Sequence, residues 1–146
     1  MPDIDLVPFL LLRASSRLVD GIQERMARRG FADVRPAHGF AFTVIARGGA
    51  TAGRLAEHLG VTKQAAAQMV QELEAKGYVS RAPHPDDSRA KVLVLTRRGR
   101  ACTRAAEASA AEELRPWLDG LGPRAATALV RALSAYADDG PLRPTW

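Results

Sequence analysis

A chain of 146 residues, 47% apolar and 25% charged, has the balance of a globular protein with room for one domain. Its longest apolar run, residues 6–12, contains Pro8 and falls far short of the roughly 20 residues of a membrane span. The single cysteine, Cys102, excludes an internal disulfide framework, and the opening M-P-D-I-D lacks the basic start of a secretory signal, so a cytoplasmic protein with no membrane contact is expected.

In chain order, Asp5 is expected to cap a first helix running to about Arg29, on which Leu6, Phe9, Leu10, Leu18, Ile22 and Met26 recur at mostly helical spacing. Gly30 stops it. Pro36 opens a second helix to about Arg47 that carries Phe40, Val44 and Ile45, and Gly48-Gly49 breaks it. Thr51 caps a third helix from Ala52 to Leu59. Gly60 makes a tight turn, Val61 plugs it, and Thr62 caps a fourth helix that ends at Lys76 with Gly77 as its stop. Ala66, Met69, Val70 and Leu73 form one inward stripe, which leaves Lys63, Gln64, Ala67, Gln68 and Gln71 on the outer side. Tyr78 to Arg81 reads as a strand. A polar loop with Pro83, Pro85, Asp86, Asp87 and Ser88 follows, and Lys91 to Leu95 returns as a second strand. Thr96 caps a long alanine-rich helix to about Leu118, with Ala101, Ala105 and Ala108 on one face. Gly120 and Gly122-Pro123 are expected to break the chain before a last helix from Arg124 to Ala137. That helix carries Leu129, Leu133 and Tyr136. The tail, residues 138–146, is expected to be loose, with Trp146 able to dock.

The net charge of +5 is unevenly placed. Arg47 to Arg100 holds ten Lys/Arg against five Asp/Glu, and the rest of the chain holds eleven of each, so the whole excess lies in that segment. Concentrated positive charge within a helix–turn–helix suits phosphate contact, because neutralising phosphates releases counterions. The fourth helix is the candidate reading element, since a helix fits the major groove and its first residues reach base edges. Lys63 suits phosphate or guanine, Gln64 and Gln68 carry amides that pair with adenine, and Ala65 suits a thymine methyl. The bland alternative is an exposed polar helix with no partner; against it, the outer face holds no acid before Glu72.

The stretch D-S-R-A-K-V-L-V-L-T-R-R-G, Asp87 to Gly99, follows this helix–turn–helix. Helix–turn–helix, hairpin and basic loop tip together describe a winged helix. The order resembles the MarR family of bacterial transcriptional regulators, in which D-x-R, five more residues and L-T-x-x-G mark the wing and the start of the next helix. G-V-T-K-Q-A-A-A-Q-M-V-Q-E-L-E-A-K-G-Y-V is similar to the family's turn and recognition helix without a gap. Ala66 departs from the pattern, which usually has a larger aliphatic residue there.

The resemblance implies a mainly α fold with a small β-hairpin wing. One domain, residues 1–146, would comprise dimerisation helices from both chain ends (5–30 and 96–137) and a second helix with the winged helix–turn–helix (36–95). It implies a homodimer, with Leu6, Phe9, Leu129, Leu133 and Tyr136 in the interface, that acts as a repressor on a palindrome in double-stranded DNA. The implied DNA-binding set is Thr51, Arg54, Thr62, Lys63, Gln64, Ala65, Gln68, Gln71, Arg81, Asp87, Arg89, Lys91 and Arg97, with Arg98 as a further phosphate contact. Arg89 enters the minor groove, where negative potential concentrates. Asp87 is expected to hold it by a salt bridge; on the residues alone, a solvent-exposed ion pair of little consequence is an equal reading. The runner-up function is a winged-helix protein-interaction module without DNA binding.

Other readings are weaker. Asp86 and Asp87 are adjacent on an open loop, without the burial that tunes an acid apart from a base. No nucleophile elbow, phosphate loop or metalloprotease helix is present, and His38, His58 and His84 match no metal spacing, so neither an enzyme nor a metal or other cofactor is expected. Cys102, close to Arg97 and Arg98, reads as a small buried hydrophobe, with redox sensing as the rival. Arg13, Arg17, His38 and Phe42 suggest a cleft for a small anionic aromatic ligand, against the alternative that the aromatics are simply core.

Overall fold

The structure, a computed structural model, describes residues 3–140. The expectation that Trp146 docks, and most of the tail, lie outside the described residues. Six helices and one hairpin fall into two compact units, each described here by itself. One comprises the chain up to Asp33 together with Ala105–Asp138; the other contains Val34–Arg104.

In the first unit a single 3-10 turn, Ile4–Leu6, leads into α1, Val7–Arg28. Asp3 caps the 3-10 turn, its side chain accepting from the Asp5 amide; Asp5, the expected cap, lies inside that turn, and α1 itself starts after Leu6 with no side-chain cap. α5, Arg97–Leu121, begins in the second unit and runs on into this one. It passes through Gly120, which was expected to stop it. A glycine costs a helix about 1 kcal/mol but keeps its amide, so the break waits for Gly122-Pro123, where α6, Pro123–Tyr136, begins. Within this unit α1 is keyed to α5 by charge. Arg25 pairs with Glu113, and Arg29 donates to the buried Ser109 hydroxyl at 2.9 Å and pairs with Glu112. Gly21 makes room for the Glu113 carboxylate, which any side chain at that position would strike. The outer faces stay apolar: Ile4, Leu6, Phe9, Leu10, Leu12, Val130, Leu133 and Tyr136 are all exposed.

The second unit has a conventional core. α2, Pro36–Ala46, α3, Ala52–Leu59, and α4, Lys63–Ala75, bury Phe42, Ile45, Leu55, Leu59, Val70 and Leu73 with Tyr78 and Leu93. Ala66 is fully enclosed, while Met69, expected in the same stripe, is half-buried. β1, Val79–Pro83, pairs antiparallel with β2, Lys91–Leu95, in the register Val79↔Leu95 to Pro83↔Lys91. β1 begins later than expected because Tyr78 still belongs to the end of α4, its amide reaching the Leu73 carbonyl at 2.9 Å. The Leu93 amide bonds the Ala50 carbonyl at 2.8 Å, tying the start of α3 to the hairpin. No helix among the described residues is long and apolar enough to cross a membrane.

The sequence T-R-R-G at the start of α5 has a steric reason. Thr96 Oγ1 accepts from the Gly99 amide at 3.1 Å and donates to the Gly77 carbonyl at 2.6 Å, and the Thr96 amide bonds the Tyr78 carbonyl at 3.0 Å. Gly99 then lies so close to that Tyr78 carbonyl that a Cβ would strike it, with Leu95 Cβ at 3.3 Å on another side. Gly99→Ala is therefore expected to destabilise the second unit by about 1–3 kcal/mol, the usual cost of overpacking, measured by urea unfolding. An unchanged midpoint would show that the backbone yields there freely.

Candidate nucleic-acid interface

The turn between α3 and α4 follows from three residues. Gly60 adopts φ 64 and ψ 34, a left-handed conformation that costs glycine little. The Val61 amide then returns to the Ala56 carbonyl at 3.1 Å, and Thr62 caps α4 by accepting from the Ala65 amide at 3.1 Å. Thr51 caps α3 in the same way, through the Arg54 amide at 3.2 Å. As a result Thr62, Lys63, Gln64, Ala65, Gln68 and Gln71 are all exposed along α4, and Arg54 is exposed on α3.

α4 carries two acids, and both are engaged. Glu74 pairs with Arg81 at 2.7 Å. Glu72 is the centre of a larger network: it takes Lys76 at 2.9 Å on one oxygen and Arg35 at 2.8 Å on the other, which also lies 3.4 Å from His38 Nε2. His38 is completely buried, and its Nδ1 accepts from the Arg35 amide at 3.0 Å at the start of α2. Nε2 therefore carries the proton of the neutral ring and presents it to Glu72. The hydrogen bond from Lys76 comes first in holding the Glu72 carboxyl at about 2, and the surrounding positive charge outweighs the opposing effect of burial. Burial likewise comes first in pushing the His38 imidazole below its ordinary 6.5; Arg35 and Lys76 add to the shift and Glu72 opposes it. None of this network was foreseen. The Glu72–Lys76 spacing was visible as an i,i+4 pair, but nothing local ties either residue to Arg35 or His38.

The wing is preset by hydrogen bonds rather than by an ion pair. The expected Asp87–Arg89 salt bridge is not formed; Asp87 Oδ1 instead accepts from the Arg89 backbone amide at 2.9 Å. A short acidic side chain two residues back closes a turn on the backbone more readily than it reaches a guanidinium. The Ala90 amide bonds the Asp87 carbonyl at 3.1 Å and the His84 amide bonds the Ala90 carbonyl at 3.1 Å, so the loop is self-contained and Arg89 is exposed on it. Lys91 and Arg97 are exposed as well. Arg98 is committed elsewhere: its guanidinium lies 4.6 Å from the Tyr78 ring centroid and donates to the Tyr78 hydroxyl at 2.9 Å. Tyr78 in turn packs against Phe42 with ring centroids 5.7 Å apart.

The residues considered for a ligand divide between the units. Arg13 and Arg17 are exposed on α1, with Arg17 4.0 Å from Glu113. His38 and Phe42 are buried in the second unit. The Cys102 thiol is buried there too. Among the described residues no cluster of three or more His, Cys, Asp or Glu is placed to hold a metal ion.

Helix–turn–helix, hairpin and helix N-terminus in this order make the second unit a winged helix. No curated protein matches the chain. The model of the MarR family matches residues 32–90. Among solved structures, RV1404 from Mycobacterium tuberculosis is 27% identical over 93% of this chain and 93% of its own, with a TM-score of 0.78. The transcriptional regulator Tm0710 from Thermotoga maritima is 29% identical over 88% of this chain and 90% of its own, with a TM-score of 0.61. A MepR variant from S. aureus, bound to an oligodeoxyribonucleotide, shares the fold at 18% identity, with a TM-score of 0.65 over 90% of this chain and 98% of its own. Residues 32–90 are thus similar to the MarR family of winged-helix transcriptional regulators, and most of the chain shares the fold of these structures.

The network predicts an acid-sensitive second unit. A histidine whose folded value is depressed contributes stability above its unfolded value of 6.5 that is lost as pH falls below it. Glu72 adds a second loss as pH falls from about 4.5 towards 2. The urea midpoint should drop between pH 7 and pH 5 by an amount that His38→Asn removes, because asparagine can keep the acceptor for the Arg35 amide without titrating. Identical pH profiles for the two proteins would exclude His38 as the cause.

Proposed function

We propose that two copies of the chain form a homodimer that binds a palindromic operator in double-stranded DNA and represses transcription from it. Each copy lays the exposed face of α4, from Thr62 to Gln71, in a major groove and Arg89 in the flanking minor groove, with Lys91, Arg97 and Arg54 on phosphates. The observation that carries this reading is the disposal of the two acids of α4. Glu72 and Glu74 are both neutralised by neighbouring cations, so the exposed face meets a polyanion without repulsion. The first turns of α3, α4 and α5 contain no acid, which leaves their positive dipole ends open to phosphate. The DNA-bound structure of the same fold supports the docking mode through its architecture.

The dimer is supported by the first unit. Phe9 is 64% exposed, Leu12 66% and Tyr136 86%, side chains that lose roughly 25 cal/mol for every Å² left in water. Leu6 and Leu133 are exposed beside them in sequence, and Leu129 is half-buried. Control of the operator is assigned to a small anionic aromatic ligand drawn by Arg13 and Arg17 rather than to the thiol, since the burial of Cys102 shields it from oxidants.

Binding to a duplex from the protein's own promoter should weaken steeply with salt, and footprints should show two-fold symmetry with half-site centres about 10 base pairs apart. Arg89→Ala should reduce affinity for A/T-flanked sites by about 1–3 kcal/mol. Unchanged affinity in that variant would remove the wing from the interface, and a wild-type protein that binds no duplex would point to a protein-interaction module instead.

Deleting residues 1–12 should yield monomers or aggregates in sedimentation, where the full chain gives a dimer. A truncated protein that remains a DNA-binding dimer would place the interface elsewhere.

A further inference from the structure

The reading face of α4 is unusual in what it lacks. Ala66, Val70 and Leu73 define its buried side, each fully enclosed. At 3.6 residues per turn, Gln64, Gln68 and Gln71 all fall within an arc of about 60° diametrically opposite that side. All three are exposed, and none of their side-chain amides makes a hydrogen bond to another described residue. The centre of the face is thus three neutral amides. Lys63 stands to one flank, and the two acids, also on the flanks, are taken up by Arg35, Lys76 and Arg81.

This composition discriminates between base pairs. Guanine offers two acceptors to the major groove and is best read by the paired donors of arginine or by lysine; cytosine offers a donor and is read by a carboxylate. Neither reader is present at the centre of this face. A glutamine amide has one donor end and one acceptor end, which matches adenine N6 and N7. Exposed Ala65, beside this arc, adds an apolar surface suited to a thymine methyl. Gln64 and Gln68 are four residues, about 6 Å, apart along the axis, against a rise of about 3.4 Å per base pair.

Resting on the DNA reading above, we propose that Gln64 and Gln68 are the specificity-determining residues and that they select two A·T pairs, adenine to each amide, about two base pairs apart near the centre of each half-site. Guanine is not read by the centre of the face. The operator class is therefore A·T-centred in the major groove, independently of any A/T preference that Arg89 imposes in the flanking minor groove.

The test is selection of bound duplexes from a random pool by the full-length protein, followed by affinity measurements on the selected site. Wild-type protein should enrich adenine at two positions about two base pairs apart in each half-site. Gln68→Ala should lose the preference at one of them and bind the selected duplex about tenfold more weakly, with unchanged thermal unfolding. Gln68→Arg should shift that position towards guanine. Replacing the adenine with 7-deazaadenine, which removes only N7, should weaken wild-type binding but leave Gln68→Ala unaffected. Enrichment of G·C at these positions, or an unaltered preference in Gln68→Ala, overturns the proposal while leaving DNA binding intact. A wild-type protein that binds no duplex overturns the DNA reading and this proposal with it.

Discussion

The Glu72 carboxylate is the constraint on which the winged-helix unit depends. It lies on α4, yet its partners include Arg35 and His38 at the start of α2 as well as Lys76 one turn along its own helix. Two consequences follow from one group. α4 is fixed in rotation about its own axis, because a carboxylate shared among three partners tolerates little roll. A negative charge is also neutralised at the flank of the helix, beside the face that stays in water. The imidazole is neutral and wholly buried, so it serves as a spacer with one acceptor and one donor rather than as a counter-charge. A second ionised group in its place would meet a desolvation cost that only close pairing offsets.

The hairpin is positioned by a separate device. Thr96 closes the end of α4 onto the start of α5 through its hydroxyl and its amide, and the absence of a side chain at Gly99 lets α5 approach the Tyr78 carbonyl. Arg98 then covers the outer face of the Tyr78 ring while Phe42 packs against it from the core. The strands therefore leave a rigid base, and the Asp87 turn sets the direction of the tip. α4 and wing are each locked to the same core by interactions that engage Arg81 but leave Arg89 and Lys91 exposed.

Much of this was legible in sequence because it is local. Thr51, Thr62 and Thr96 cap helices where a hydroxyl precedes an apolar-periodic run, and Gly60 and Gly122-Pro123 end elements for reasons of backbone sterics. The failures come from weighing a local signal without its competitor. Asp5 resembles a cap, but it lies inside the 3-10 turn that Asp3 caps. Gly120 resembles a stop, but a helix with tertiary support absorbs it. Asp87 and Arg89 resemble an ion pair, but the backbone amide is nearer than the guanidinium. Arg98 resembles its neighbour Arg97, and only the fold brings Tyr78 beneath one of them. The Glu72 network was illegible because Glu72 lies 34 and 37 positions along the chain from His38 and Arg35, with no shared pattern.

The two units solve opposite problems. The winged helix encloses its apolar side chains and spends its charges on one another at the inner face, so its outer face is free to be polar and basic. The first unit pairs partly exposed charges between α1 and α5, with Arg25 and Arg29 against Glu112 and Glu113, and leaves leucines and aromatics in water. Partly exposed ion pairs contribute little net stability, which leaves the apolar faces as this unit's main unused reserve. In the proposed homodimer that reserve is drawn on by burying Leu6, Phe9, Leu133 and Tyr136 against the same face of a second copy. A ligand that controlled the proposed homodimer would act most directly on those same faces, since a ligand shifts such an equilibrium only by favouring one arrangement over another.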